Sequence, residues 1–181
     1  MLFSSSVVAA LAGRGDAASI PDGDVAYLRL LIAAELLGAD FQATALASRK
    51  LTRHSATVMK KMAADEKAHY TGLARLVTAA GQTPATADDI DFSYPKGSFA
   101  SEASILKLAS EIEALVLGAY LGSIENIQTA DLRLPVAQIA ANEAQQVSAL
   151  APLVRRPAIG SAFAAALPID AVSAALDRYE S

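Results

Sequence analysis

Four glutamates set into apolar helical stripes constrain this 181-residue chain more than any other feature. Glu66 follows Glu35 by 31 positions (66 − 35), and Glu143 follows Glu113 by 30 (143 − 113). The second glutamate of each pair is followed at i+3 by another polar residue, His69 in one half and Gln146 in the other. On a helix, side chains at i and i+3 share a face and reach a common point. Two helix pairs, each supplying Glu and then Glu-x-x-(His/Gln), match the plan by which a four-helix bundle assembles a carboxylate metal site.

The surroundings of each glutamate support an inward orientation. Glu35 has Leu28, Leu31, Ile32, Gly38, Ala39 and Gln42 at helical spacing, none of them charged. Around Glu66 and His69 the same face carries Met59, Met62, Ala63, Tyr70 and Leu73, while Lys60, Lys61, Asp65, Lys67 and Arg75 fall elsewhere. Glu113 and Glu111 point about 160° apart at roughly 100° per residue. Glu111 pairs with Lys107 at i−4, which leaves Glu113 among Leu106, Ala109, Val116, Leu117 and Tyr120 as the buried one. Glu143 sits among Val136, Ile139, Ala140, Gln146, Val147 and Leu150. A lone carboxylate in an apolar stripe is costly unless something pairs with it. His54, near a helix start and away from these faces, reads as a surface or capping residue.

Composition narrows the rest. Hydrophobic residues are 53% of the chain but aromatics only 6%, a balance that favours packed helices over β-sandwich strands. With no cysteine, disulfides, thiolate zinc sites, iron–sulfur clusters and cysteine nucleophiles are excluded. The net charge of −4, without a basic stripe, argues against nucleic acid as a partner. No uncharged run reaches membrane-spanning length. No phosphate-cradling glycine loop or nucleophile turn is present, so nucleotide-binding and hydrolase readings are set aside.

Periodicity and punctuation predict four long helices: Val25 to Arg49, Thr52 to Ala80, Ala100 to Ile124 and Asp131 to Val154. Asp22 or Asp24 is expected to cap the first, and Gly81 to end the second. From Gln82 to Ser98 the helical period is lost, and Ile90, Phe92, Tyr94 and Phe99 anchor a connection long enough to cross from one end of a bundle to the other. Asp170 is expected to cap a short last helix from Ala171 to Tyr179. The expected organisation is a tail over residues 1–21, a bundle over 22–156 and a C-terminal tail with the short helix over 157–181. The apolar run Leu2 to Ala12 has two readings, a plain tail and the remnant of an export signal, although the positive n-region of a signal peptide is missing.

At these residues the chain resembles the ferritin-like superfamily, and within it bacterial ferritin-like domain proteins that include desiccation-related relatives. The resemblance rests on Ala34-Glu35-Leu36-Leu37 with Phe41, on Asp65-Glu66-Lys67-Ala68-His69, on Glu113 with Gly118-Ala119-Tyr120-Leu121-Gly122, and on Asn142-Glu143-Ala144-Gln145-Gln146. It spans about Asp24 to Val154. It implies an all-α, left-handed four-helix bundle, with a long crossover between helices two and three, around a buried di-iron or di-manganese centre. Relatives often carry an export signal, which favours an exported or periplasmic location over a cytoplasmic one. Two positions depart from the family pattern. Gln146 stands where the second histidine belongs, and Gly38 where relatives often place another acid. An amide oxygen is a poorer ligand for iron or manganese than imidazole, so the second metal position, and any oxidase activity that needs both ions, is weakened.

Two readings of function follow. In the first, Glu35, Glu66 and His69 bind iron or manganese, with Glu113, Glu143 and Gln146 bridging or completing the site, in iron handling or protection against oxidative or desiccation stress. In the second, the bundle is metal-free and serves as a structural or accessory subunit, its acids sharing protons. Four inward carboxylates with no inward lysine or arginine repel one another unless protonated or neutralised by a cation, which favours the metal. The partner expected first is therefore a metal ion. The assembly is left between a homo-oligomer such as a dimer and an accessory subunit of a larger complex; no surface suited to a storage cage is evident.

Overall fold

A computed structural model describes residues 20–181, so the run Leu2 to Ala12 lies outside the described residues. Among the described residues there are five α-helices and no strand: α1 Asp22–Ala47, α2 Arg53–Ala79, α3 Glu102–Asn126, α4 Ala130–Leu150 and α5 Ile169–Leu176. The all-α bundle expected from the sequence is therefore present. Short turns at 48–52 and 127–129 fold α1 onto α2 and α3 onto α4, and the two hairpins meet along α1 and α3.

The crossover between α2 and α3 can be followed by its contacts along α1. Gln82 accepts a hydrogen bond from Arg29 at 2.8 Å, and the Tyr94 hydroxyl donates to Asp40 at 2.7 Å. Tyr94 and Phe99 also pack on Phe41, with ring centroids 5.5 and 5.4 Å away. At the far end, Glu102 of α3 accepts hydrogen bonds from the amide and hydroxyl of Thr52, at 3.0 and 2.6 Å. The chain thus travels the length of α1 before α3 begins, and the aromatic anchors seen in the sequence hold it down.

Helix ends follow local chemistry. Thr52 caps α2 through the Ser55 amide, and Gly81, at φ 75°, ends it. Ser101 and Ser104 form a capping box on α3. α1 itself begins after Pro21 without a side-chain cap. Asp24, only 1% exposed, instead accepts the amides of Gln128 and Thr129, both at 2.8 Å, and so anchors the start of α4 from across the bundle. α4 is shorter than expected. It ends at Leu150 in a 3₁₀ turn, Ala151–Val154, because Arg155 turns left-handed at φ 60° and the amides of Arg155 and Arg156 fold back to Pro152 and Ala151. The last helix starts at Ile169, two residues early; Pro168 occupies the cap position and Asp170 lies in the first turn without capping.

The C-terminal segment straps the bundle. The Leu167 amide donates to the Gly118 carbonyl at 2.9 Å, α5 packs on α1 and α3, and Phe92 of the crossover bridges to Glu180. Close approach requires glycine on α3. A Cβ at Gly122 would stand 1.9 Å from the Leu167 carbonyl oxygen, and one at Gly118 would stand 2.6 Å from the Leu167 side chain. Gly122→Ala is therefore expected to lift the strap and lower stability by about 1–3 kcal/mol. Hydrogen exchange checks this: amides of 167–181 should exchange faster while those of α1–α4 stay protected.

By length and composition alone, α1 is apolar enough to cross a membrane. Its Leu28, Leu31, Ile32, Leu37 and Phe41 are all fully buried in the bundle, as is Glu35, so it is the core helix of this fold.

Candidate metal centre

Each of the four long helices turns one glutamate into the core. Glu35 and Glu143 are 0% exposed, Glu66 and Glu113 1%, His69 7% and Gln146 4%. The i, i+3 spacing places Glu66 and His69 on one face of α2, and the α1–α2 and α3–α4 hairpins carry the other acids to the same level. All six residues singled out in the sequence are buried, but they do not play equal parts in the geometry.

Four of them converge. Glu35, Glu66, His69 and Glu143 each offer a donor atom, and these atoms lie within 4.8 Å of one another. The nitrogen Nδ1 of His69 is 2.9 Å from Glu143 Oε1, 3.3 Å from Glu35 Oε2 and 3.8 Å from Glu66 Oε2. None of these approaches is aligned as a hydrogen bond, and Nδ1 has no hydrogen-bond partner. Three carboxylates and an imidazole thus surround one point without pairing off.

Glu113 stands beside this set. Its Oε1 accepts from the Gln42 amide nitrogen at 2.9 Å, and the same nitrogen reaches Glu66 Oε1 at 3.2 Å. Gln146 also acts as a donor here: its amide nitrogen bonds Glu66 Oε1 at 2.9 Å and Glu143 Oε1 at 3.3 Å. Sequence reasoning did not include Gln42 in the site. It lies seven residues after Glu35, on the same helical face, and that inward position was the available signal. Tyr120, fully buried, donates its hydroxyl to Glu35 Oε1, whereas Tyr70 points away and bonds the Ala85 carbonyl at 3.0 Å. Gly38 leaves room for Glu66, whose carboxyl carbon lies 3.4 Å from where a Cβ would be.

Electrostatics follow from the crowding. Burial, then repulsion from Glu66, raises the Glu35 carboxyl well above its ordinary value, and burial with Glu66 and Glu143 does the same to Glu113. Burial also raises Glu143, although His69 opposes it. For Glu66 burial acts upward too, but the close polar contacts with Glu35 and His69 and the Gln146 hydrogen bond prevail and keep it below its ordinary value. Burial disfavours the His69 imidazolium, yet Glu143, Glu35 and Glu66 outweigh it and push the group up to about 12. Glu35, Glu113, Glu143 and His69 thus hold their protons to higher pH than the free groups do, and Glu66 releases its own more readily.

The donor set fits a metal ion. Among the described residues, every buried side-chain nitrogen or oxygen without a hydrogen-bond partner belongs to this cluster: Oε2 of Glu35, Glu66, Glu113 and Glu143, Oε1 of Gln42 and Gln146, and His69 Nδ1. Each such orphan costs about 1–3 kcal/mol, and native cores carry few of them. All can act as Lewis donors, and no lysine or arginine among the described residues is buried to meet them. Carboxylate oxygens with one imidazole are donors that a divalent metal ion accepts.

The ferritin-like domain family model matches residues 23–156, and the chain belongs to that family. No curated protein matches the chain. The family and the bundle together define the class: an all-α ferritin-like domain with a buried Glu/His group able to hold a metal ion.

Proposed function

We propose that the protein binds iron or manganese at Glu35, Glu66, His69 and Glu143 and acts in iron handling or in protection against oxidative or desiccation stress. The observation that carries this reading is the convergence of four donor atoms within 4.8 Å in a core whose unpartnered polar atoms, among the described residues, all belong to these residues and their neighbours Gln42, Glu113 and Gln146. The ion, once bound, supplies one-electron chemistry in a compartment closed to bulk water. The chain's own residues do the rest. His69 and the three acids bind, Tyr120 orients Glu35, and Gln42 and Gln146 fix Glu66. Near-complete burial excludes competing solvent. The sequence resemblance supports the stress-protection part; the site chemistry supports the metal. Isothermal titration of chelator-treated protein with manganese(II) or iron(II) tests the reading, with saturable binding expected.

Proton linkage gives a second test. Glu35, Glu113 and Glu143 have folded-state values raised above the ordinary 4.5, and His69 is raised from 6.5. Above those ordinary values the folded metal-free protein holds protons that the unfolded chain has released. Its stability therefore falls as pH rises: through the carboxyl contributions from about 4.5 upward, and through the histidine contribution from about 6.5 toward 12. Glu66, shifted the other way, loses its contribution only as pH drops below about 4.5. A metal must displace the retained protons, so its affinity rises with pH. Thermal melts between about pH 5.5 and 8 should show the metal-free protein weakening and the metal-induced stabilisation growing. A pH-independent metal effect would count against ligation by these groups.

A further inference from the structure

We propose that Gln42 and Gln146 occupy the second metal position with their amide groups and make the centre mononuclear. The inference deepens the metal reading above and rests on it. The Gln42 amide nitrogen bridges Glu66 Oε1 and Glu113 Oε1, at 3.2 and 2.9 Å. The Gln146 amide nitrogen bridges Glu66 Oε1 and Glu143 Oε1, at 2.9 and 3.3 Å. An amide nitrogen carries two hydrogens, and each hydrogen in both residues has a carboxylate to bond. Oε1 of Glu66 thus takes two amide donors, and only its Oε2 remains free to ligate. A two-metal site needs carboxylates that offer an oxygen to each ion. Here Glu66 Oε1 and Glu113 Oε1 are engaged by N–H groups, whose positive hydrogens oppose a cation at the same oxygens.

The same contacts explain why Glu113 is absent from the convergent four. Gln42 on α1 engages one of its oxygens, and the fourth helix's glutamate supplies the donor that completes the set. Gln146 does not act as a weak ligand in this arrangement; it steers Glu66 and Glu143. Both amides are positioning residues, set on α1 and α4 at the level of the two acids that they bind.

Manganese(II) titration followed by electron paramagnetic resonance tests the proposal on the whole chain. Wild-type protein should take up one equivalent per chain and give the signal of an isolated ion. Gln146→His, alone and combined with Gln42→Glu, should admit a second equivalent and produce the broadened signal of a coupled pair, with circular dichroism confirming the helical fold. Two equivalents in the wild type would overturn the proposal while leaving the metal reading intact. One equivalent in the wild type and still one in both folded variants would also overturn it, because the amides would not be what limits the count. No binding in the wild type would overturn the metal reading and this proposal together.

Discussion

Replacing His69 with glutamine is expected to lower affinity for iron(II) or manganese(II) by more than about a hundredfold. Losing a group that only supports a ligand already costs about 10–100-fold, and His69 is the one nitrogen donor among the four converging residues. The substitution has a second consequence in the metal-free protein. Among the described residues His69 is the only buried cationic group facing Glu35, Glu66 and Glu143, and removing one partner from a buried ion pair costs about 3–5 kcal/mol. Glu143→Gln separates the two effects. It deletes a ligand oxygen and so weakens metal binding, but His69 keeps Glu35 and Glu66 as carboxylate partners and one acid fewer is left to repel the others, so metal-free stability should fall less than in His69→Gln. Calorimetric titration and thermal melts of both variants measure these outcomes. Unchanged affinity in either folded variant would place the metal elsewhere.

Saturation with metal is expected to raise the melting temperature of the wild type by several degrees. Free ion at about a hundred times its dissociation constant adds about 2.7 kcal/mol. For a chain of this size each kcal/mol moves the melting temperature by about 2–4 °C. The affinity behind this gain has a local cause: the ion replaces protons in a cluster where burial and mutual repulsion work against the acids. Chelation should reverse the shift fully, and Glu66→Ala should abolish it. A wild-type melting temperature indifferent to both metal and chelator would point to an acid cluster stabilised by shared protons.

The parts of this architecture that were legible in the sequence are those with a periodic signature. A glutamate in an apolar stripe announces itself because burial of an unpaired charge is costly, and the near-equal spacings of the two Glu pairs tie four helices to one level. The burial of Glu35, Glu66, His69, Glu113 and Glu143 follows from that pattern. Gln42 carried no such alarm, since a neutral amide is tolerated in many cores. Its role depends on acids brought from α2 and α3, which no pattern within α1 encodes. For the same reason the sequence placed Glu113 inward but could not show that an amide from another helix would bond it.

Long-range closures were hidden as well. Asp24 looks like a cap for its own helix, yet it serves α4 because the bundle brings residues 128 and 129 to it. The Gly118 and Gly122 pair was visible as part of a motif, but the groove it leaves is filled by Leu167, far along the chain. Helix ends shifted where backbone geometry prevailed over side-chain cues, as at the left-handed Arg155 and at Pro168.

The most direct measurement is elemental analysis of protein purified without chelators, normalised to chain concentration. One equivalent of iron or manganese in the wild type, lost in His69→Gln and in Glu143→Gln, is the result expected of a working ferritin-like metal protein. Folded wild-type protein that contains no metal, and takes up none on titration, would contradict the account and leave a ferritin-like bundle that keeps the architecture without the chemistry.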